Sequence, residues 1–266
     1  MAYALSVAGA LFRWLIQQRY SLANPFAGIK VRGADRSGTQ AVMRVFTESE
    51  WATVQSAAAG LEWGGGWEPR AAQRLRFVLD FSYATGLRIS ELVGATLGQI
   101  QVDGHGDTWL HLRGKGDRAA KVALPSMARG ALDRYLVQRQ LPVTPSRWEP
   151  ATALIGSIEN EDASVGSKSG ISAARLWHVT KRYFVQLGTA IESEQPATAE
   201  KLKGASPHWM RHTHATHALA YGAELTTVRD NLRHASIQTT SIYLHGDEVK
   251  RARQMEGAFG TFPTKA

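Results

Sequence analysis

The hydrophobic pattern of this 266-residue chain changes its period between residues 98 and 125. There the stretch QIQVDGHGDTWLHLRGKGDRAAKVALP, residues 99–125, alternates apolar and polar residues in three short runs separated by glycine-rich turns. This alternation is typical of an antiparallel meander, whereas the flanking segments keep helical spacing. The sequence therefore predicts an α+β fold that is mainly α, with a small three-stranded antiparallel sheet.

Composition narrows the class of protein and of partner. A hydrophobic content of 44% and a charged content of 20% are typical of a globular chain. The chain has no cysteine, which excludes disulfide frameworks, thiolate nucleophiles and Cys-based zinc sites. Its net charge of +8 favours a polyanionic partner, with nucleic acid as the first candidate and an ordinary basic surface as the alternative.

The N-terminal segment, residues 1–28, carries apolar residues at helical spacing. They are Leu5, Leu11, Phe12, Leu15 and Ile16. The pair Asn24–Pro25 is predicted to end this helix. The segment has neither the leading positive charge of a signal peptide nor the roughly twenty apolar residues of a membrane span. We therefore expect a cytoplasmic protein without a membrane anchor, and a helix whose exposed side chains, such as Trp14, favour weak self-association.

Local composition divides the rest of the chain. Residues 29–45 hold Gly, Ser and basic residues without apolar periodicity and are predicted to be a linker. Thr47 and Glu50 have the spacing of a capping box, so the main domain, residues 46–246, is predicted to open with a helix. Residues 247–266 are predicted to be a C-terminal tail that either docks on a neighbouring protomer or frays in solution.

Glycine and proline mark the elements of the main domain. The segment Trp63–Trp67 is predicted to be a loop, because three consecutive glycines separate its tryptophans. A helix that begins at Pro69 is predicted to end at Gly86, and a second helix to follow at once. Residues 142–170 are rich in Pro, Gly and Ser and predict a long loop, after which helical spacing resumes from Ile171.

A histidine cluster occupies the stretch SPHWMRHTHATHALAYG, residues 206–222. On a helix, His208 and His212 share an arc with Arg211, whereas His214 and His217 point to the opposite side. His208 and His212 have metalloprotease spacing, but that motif needs a glutamate after its first histidine and this chain has tryptophan there. A metal site is thus the weaker interpretation. A phosphate site fits better, because Arg211 adds a forked cation to His208; the alternative without chemistry is a capping His208 beside a solvated Arg211.

Four motifs follow one another along the chain. They are ATGLRISEL at residues 84–92, RGKGDRAAKVALP at 113–125, PHWMRHTHATHALAYG at 207–222 and VRDNLRHASIQTTSIYLH at 228–245. With these motifs in this order, the chain resembles the catalytic domain of the tyrosine recombinases, the phage integrase family, over residues 45–250. Residues 1–28 are similar to the C-terminal helix of that family's core-binding domain, whose earlier part we expect to be absent.

The resemblance implies the chemistry. Tyr243 is the expected nucleophile, which attacks a scissile DNA phosphate and leaves a 3′-phosphotyrosyl bond and a free 5′-hydroxyl. Arg88 and Arg211 are expected to hold the non-bridging oxygens, and Lys115 to protonate the departing 5′ oxygen. Two guanidinium groups can stabilise the charge of an in-line displacement without a divalent metal. We therefore expect no cofactor and no ATP.

Four further residues complete the site that the resemblance implies. His208 is the expected acid–base partner, and His234 the expected hydrogen-bond donor to the phosphate. Glu91 matches the acidic residue that supports the first arginine, and His212 is expected to support Arg211 structurally.

Alternatives without chemistry remain for three of the catalytic positions. Arg88 could cap the C-terminus of the preceding helix, and Tyr243 could be a core aromatic residue. Lys115 could be an ordinary charged hairpin tip, with Lys121 as its rival for the same role.

Eight basic residues outside the catalytic set are predicted to contact DNA. They are Arg113, Arg118 and Lys121 of the meander, Arg175, His178, Lys181 and Arg182 of the helix after the long loop, and Arg233. Arg175, His178 and Arg182 form a stripe that the resemblance places in a major groove, with a solvated helix face as the alternative. Arg233 stands where the family usually has glycine, which adds a cation near the site and bears on the turn before His234.

The sequence thus predicts a bacterial site-specific recombinase, or integrase, acting on chromosomal, phage or plasmid DNA. We expect a homotetramer on paired sites of double-stranded DNA, and a monomer or weak self-association off DNA. The alternatives are a DNA-binding fragment of the same fold with little catalysis, an activity like that of a type IB topoisomerase, and a metallohydrolase. A binding module has no need of Tyr243 or Lys115, and the histidine geometry disfavours the metallohydrolase.

Overall fold

The computed structural model describes residues 2–29, 44–113, 119–158, 170–234 and 236–241, without the side chains of Ala2, Tyr3, Ser6 and Arg113. The chain forms two compact units, residues 1–43 and 44–266. Most of the predicted linker and all of the predicted tail, residues 247–266, lie outside the described residues.

The first unit is built on one helix, α1 (Ala2–Gln17). The prediction that Asn24–Pro25 ends this helix was wrong. Arg19, with φ 61°, takes a left-handed conformation that an α-helix cannot continue through. The following turn folds back so that Phe26 packs edge-on against Phe12, with ring centroids 5.4 Å apart. Exposed apolar side chains of α1 are Val7, Leu11, Trp14 and Ile16.

The second unit is mainly helical, as predicted. Its helices within the described residues are α2 (Glu48–Ala59), α3 (Leu61–Gly64), α4 (Pro69–Thr85), α5 (Ile89–Gly94), α6 (Ser126–Gln138), α7 (Ala173–Ala190), α8 (Pro196–Gly204), α9 (Pro207–Ala220), α10 (Leu225–Leu232) and α11 (Ile237–Ser241). The sheet consists of β1 (Ile100–Val102), β2 (Thr108–Arg113) and β3 (Ala119–Ala123), paired antiparallel in the order β1-β2-β3. The predicted three-stranded meander is confirmed.

The register of the sheet separates a buried face from an exposed one. Leu110 of β2 lies opposite Val122 of β3, and both side chains are fully buried. On the other face His111 lies opposite Lys121, and both are exposed. This alternation is what a strand with one face against the core requires.

Local signals set several helix ends as predicted. The capping box that opens α2 is complete, because Glu50 N–H donates to Thr47 Oγ1 at 3.2 Å and Thr47 N–H donates to Glu50 Oε2 at 2.7 Å. Helix α4 begins at Pro69 and ends at Gly86, whose φ is 64°. A Cβ atom at Gly86 would lie 2.6 Å from side-chain atoms of α9 and α10, so only glycine fits this turn.

Two predictions about local structure need correction. The segment Trp63–Trp67 is not wholly a loop, because α3 continues through Gly64 before the chain turns. Helix α8, Pro196–Gly204, was not predicted. Its buried side chains, Ala199 and Leu202, are too few to give a clear helical pattern.

The core of the second unit is a large cluster that α4 crosses, beside a smaller cluster between α9 and α10. Its largest fully buried side chains are Tyr183, Phe46, Phe81, Phe184 and Leu75. Burying each side chain of this kind contributes about 1.5–3 kcal/mol to stability. The predicted long loop also enters the core, since Leu154 and Ile155 are fully buried and Leu154 N–H donates to the carbonyl of Ala95 at 2.8 Å. This packing fixes α4, α9 and α10, which carry the candidate site.

Candidate active site

Arg211 of α9 lies at the centre of the candidate site and is only 2% exposed. Its Nη1 donates to the carbonyl of Gly86 at 2.6 Å, and its Nη2 donates to the carbonyl of Leu232. Arg88 follows the first of these carbonyls by two residues, and His234 follows the second by two. One guanidinium therefore fixes both turns, and the alternative of a solvated Arg211 was wrong.

Arg88 is the N-cap residue of α5 and is paired with Glu91 of the same helix. The Arg88 backbone N–H donates to Glu91 Oε2 at 2.8 Å, and Arg88 Nη1 donates to Oε1 at 2.8 Å. The Arg88 side chain is 42% exposed, so the guanidinium is held by Glu91 and still faces solvent. The alternative that Arg88 caps the C-terminus of α4 was wrong, because Gly86 occupies that position.

Arg233 closes α10 in a left-handed conformation, with φ 56° and ψ 44°. Its Nη1 donates to the carbonyl of Asn231 at 2.8 Å, and its Nη2 donates to Glu91 Oε2. Burial alone would raise the pKa of Glu91, but the hydrogen bond from the Arg88 backbone and the charges of Arg233 and Arg88 hold this pKa below its usual value. Glu91 is therefore an ionised carboxylate shared by two guanidinium groups.

His208 and His212 lie one turn apart on α9, with ring centroids 4.4 Å apart. Desolvation, assisted by the positive charge of Arg211 and other neighbours, lowers the pKa of His208. Desolvation, the neighbouring His208 and Arg211 lower the pKa of His212 to about 4. Both rings are therefore neutral at pH 7, and each can accept a proton.

His234 lies at the start of the turn between α10 and α11. Its Nδ1 is 2.8 Å from Oγ1 of the buried Thr240. Desolvation and the charges of Arg211, Arg88 and Arg233 lower the pKa of His234 to about 4. This influence on one ring indicates that the three arginines surround a common region.

His214 and His217 pack on the opposite side of α9, as predicted. His217 is 5% exposed, and its two ring nitrogens lie 2.9 Å from the Tyr83 hydroxyl and 2.9 Å from the carbonyl of Phe46. His214 Nδ1 lies 2.7 Å from the carbonyl of Tyr83, and desolvation is the main cause that lowers its pKa to about 4. These two histidines hold α4 against α9.

Asn231 is a site-supporting residue that the sequence analysis missed. Its Oδ1 accepts from the Ala123 N–H of β3 at 3.1 Å, and its Nδ2 donates to the carbonyl of Thr85 at 3.3 Å. The same Nδ2 lies 3.4 Å from His214 Nε2. The available signal was a polar residue beside the buried Leu232 in a short amphipathic helix.

Several predicted site residues lie outside the described residues. They are Lys115, Arg118 and Tyr243. The backbone of Arg113 ends β2 opposite Ala119. Lys121, the rival of Lys115, lies on the exposed face of the sheet with its ammonium 4.0 Å from the centroid of a Trp109 ring.

The basic stripe of α7 is exposed. Arg175, His178 and Arg182 all face solvent, and the Arg182 guanidinium stacks 4.3 Å from the centroid of a Trp67 ring. Trp177, which the sequence analysis did not single out, is 41% exposed on the same helix. Lys181 differs from this stripe, because its ammonium donates to two main-chain carbonyls at the end of α8.

No group of three or more His, Asp or Glu side chains that could hold a metal ion occurs within the described part of the chain. None of the helices in that part combines the length and apolar character needed to cross a bilayer.

Comparison with known proteins identifies the family of the chain. The Phage integrase family model matches residues 68–249. The tyrosine recombinase XerD of Neisseria meningitidis serogroup B is 30% identical over 246 residues, which cover 92% of this chain and 71% of that protein.

Two solved structures share the fold. A Tn1549 transposon integrase in complex with circular intermediate DNA has a TM-score of 0.65 at 20% identity, covering 95% of this chain and 77% of that one. The XerH site-specific recombinase bound to difH has a TM-score of 0.56 at 19% identity, and the match covers 80% of this chain and 53% of that one. The chain thus spans about half the length of XerH. On the family match and the identity to XerD, the chain belongs to the phage integrase family of tyrosine recombinases, which are DNA breaking and rejoining enzymes.

Proposed function

We propose that this chain is a site-specific DNA recombinase that cleaves and rejoins DNA through Tyr243. The observation that carries the proposal is the buried Arg211, which fixes the turns preceding Arg88 and His234. A preorganised cluster of cations in a partly desolvated site is what stabilises the charge of a phosphate under attack. Family membership supplies the independent support.

The proposed cleavage is a transesterification. The phenol oxygen of Tyr243 bonds to the scissile phosphorus while the bond from phosphorus to the 5′ oxygen breaks. A phenol ordinarily has a pKa near 10, so Tyr243 needs a base, and in this proposal the neutral His208 accepts its proton. Lys115 donates a proton to the departing 5′ oxygen. Religation reverses these steps, and the phosphotyrosyl bond conserves the energy, so the proposed reaction requires no ATP. The two guanidinium groups stabilise the charge on the phosphate, so the reaction requires no metal ion.

The two guanidinium groups that would hold the phosphate differ in setting. Arg211 is buried and held by carbonyls, so its position is fixed before DNA arrives. Arg88 is 42% exposed and bound on one side to Glu91, which leaves the rest of its fork for a non-bridging oxygen. In this proposal His234, fixed by Thr240, donates a hydrogen bond to the same phosphate, and His212 supports Arg211.

The proposed DNA interface extends from this site. Arg175, His178 and Arg182 of α7 face a major groove, where an exposed stripe of donors can contact base edges. Lys181 holds the end of α8 and so positions α7 instead of contacting phosphate. Arg113, Arg118 and Lys121 of the meander are proposed to contact the DNA backbone, to which the net charge of +8 also attracts the chain.

The proposed assembly is a homotetramer on paired sites. In it, residues 1–28 form the C-terminal helix of a core-binding domain, residues 29–45 the linker and residues 46–246 the catalytic domain. Residues 247–266 dock on a neighbouring protomer. This docking predicts that a chain ending at Gly246 still binds DNA but no longer assembles into tetramers on it, as measured by mass photometry.

The proposal is tested by trapping adducts with SDS on a pool of nicked duplexes of random sequence. A nick beside the scissile phosphate releases a short fragment, so the covalent adduct accumulates, and sequencing the trapped DNA gives the site. We expect adduct with the wild type in EDTA and none with Tyr243→Phe. A wild type that shifts this DNA in a gel but forms no adduct, or forms it only with a divalent metal, contradicts the proposal.

A further inference from the structure

Arg233 occupies a backbone conformation that normally selects glycine. Its φ of 56° lies in the left-handed region at the C-terminal end of α10, where a residue with a Cβ atom is disfavoured. Glycine would fit this position with less strain, so the presence of arginine needs a reason in its side chain.

The side chain of Arg233 is directed into the candidate site. It is 13% exposed, and its Nη2 donates to Glu91 Oε2. Glu91 Oε1 binds the Arg88 guanidinium at 2.8 Å. The two oxygens of one carboxylate are thus divided between two arginine side chains from different helices.

This division determines how Arg88 is presented. Within the described residues, Nε and Nη2 of Arg88 have no hydrogen-bond partner, so they remain for a ligand. Oε2 also accepts the backbone N–H of Arg88 at 2.8 Å, and without Arg233 that hydrogen bond alone would hold it. The Glu91 carboxylate could then rotate, give up the backbone hydrogen bond and bind the Arg88 side chain through both oxygens, the geometry that such pairs prefer. Arg88 would then lose donors and effective charge toward a phosphate.

We propose that Arg233 is a positioning residue that occupies one oxygen of Glu91 and so leaves the fork of Arg88 open toward the scissile phosphate. The inference rests on the proposed function. It also gives Arg233 a different role from a DNA contact, because its donors bind Glu91 and the carbonyl of Asn231.

The test compares Arg233→Gly with Gln140→Gly. Gln140 has a φ of 56° as well and is exposed at the end of α6, so this control relieves the same backbone strain away from the site. Arg233→Gln, which keeps a side chain without charge, is measured in parallel. Three quantities are followed: the urea midpoint, the rate of SDS-trapped adduct at saturating DNA, and the salt dependence of DNA affinity.

We expect both Arg233 variants to lose adduct rate about tenfold, the effect of one charge-assisted hydrogen bond, while Gln140→Gly keeps the wild-type rate. The salt slope of DNA affinity stays unchanged, and in a Glu91→Gln background the Arg233 substitutions cost no further rate. Variants that lose rate only in proportion to their loss of folded protein contradict the inference, because that pattern marks a purely structural residue.

Four other results also test the inference. A salt slope that falls by about one identifies Arg233 as a phosphate contact and overturns the inference. An equal rate loss in the Glu91→Gln background overturns it too. A wild type that forms adduct together with Arg233 variants that match its rate overturns this inference alone, whereas a wild type without adduct overturns the proposed function and the inference with it.

Discussion

The guanidinium of Arg211 donates to the carbonyl oxygen of Gly86 at 2.6 Å, which ties the middle of α9 to the end of α4. A second donor of the same group binds the carbonyl of Leu232 at the end of α10. The orphaned carbonyls at two helix ends are thus satisfied by one side chain. If Arg211 also holds the scissile phosphate, as proposed, stability and phosphate binding are coupled at this residue.

Arg211→Lys tests that coupling. An ammonium group cannot span both carbonyls, so one buried carbonyl loses its donor and the free energy of unfolding falls by about 1–3 kcal/mol. The adduct rate falls by at least about a hundredfold. Urea unfolding and SDS trapping measure the two effects.

Arg88→Lys is the matched control, because this side chain is 42% exposed. It should lower the adduct rate while changing the free energy of unfolding by no more than about 1 kcal/mol. Equal stability of Arg211→Lys and wild type would contradict the account of the two carbonyls.

The stability of the protein should depend on pH through three histidines. The pKa values of His212, His214 and His234 are about 4 in the folded protein, against an unfolded value near 6.5. Between these values the unfolded chain binds more protons, so the free energy of unfolding falls as the pH decreases from about 6.5 toward 4. Above about 6.5 it no longer changes through these groups. Urea unfolding at a series of pH values measures the slope.

His214→Gln isolates one of the three contributions. A glutamine side chain can donate to the Tyr83 carbonyl without titrating, so the slope should decrease relative to the wild type. His111→Gln, on the exposed face of the sheet, is the control for the loss of a histidine side chain. An identical slope in both variants would show that His214 is not held neutral.

Asn231→Leu should remove the hydrogen bonds that join the sheet to α10 and α4. It removes the acceptor of the Ala123 N–H and the donor to the Thr85 carbonyl, lowering the free energy of unfolding by about 1–3 kcal/mol. The strand β3, which follows Lys115 along the chain, loses its hydrogen bond to α10, so the adduct rate of folded protein should fall about tenfold.

Gln55→Leu removes a comparable hydrogen bond, 2.9 Å long, to Asp80 away from the site. It should lower stability while the folded protein keeps the wild-type adduct rate. If both variants lose rate equally, Asn231 has no special relation to the site.

Arg175→Ala should reveal how α7 meets DNA. If its guanidinium binds a phosphate, the slope of log affinity against log salt decreases in magnitude by about 0.9. If it binds a base, the slope is unchanged and sequence preference relaxes at one position. Fluorescence anisotropy on the trapped site measures both. The control is Arg134→Ala, because the Arg134 side chain pairs with Asp80 at 3.3 Å; it should change neither the salt slope nor the sequence preference. If Arg175→Ala also changes neither quantity, α7 is not part of the DNA interface.

Much of this fold is predictable because its signals are local. The capping box at Thr47, the helix stop at Gly86 and the alternating pattern around Leu110 each specify structure within a few residues, and each prediction was confirmed. Helix α1 ends before the predicted Asn24–Pro25 because Arg19 adopts a positive φ. The usual sequence signal for a positive φ, a glycine or asparagine, is absent at this position. Helix α8 buries too few apolar side chains to show a helical period in the sequence.

The candidate site was predictable in its residue types but not in its contacts. The resemblance to the family implied Arg88, Arg211 and His234. It did not show that Glu91 is shared with Arg233 or that Asn231 joins β3 to α4. Asn231 and Ala123 are 108 positions apart in the sequence, and Arg233 and Glu91 are 142 positions apart. Such pairings depend on how helices pack, and helix periodicity alone does not specify packing.

The central claim is that Tyr243 carries the covalent bond to DNA, and peptide mass spectrometry of the trapped adduct tests it most directly. Trypsin should release residues 234–250 as one peptide in which Tyr243 is the only tyrosine. After nuclease digestion, the account predicts this peptide with the mass of a 3′-linked nucleotide on Tyr243. Nucleotide mass on any other residue, or adduct that survives in Tyr243→Phe, would contradict it.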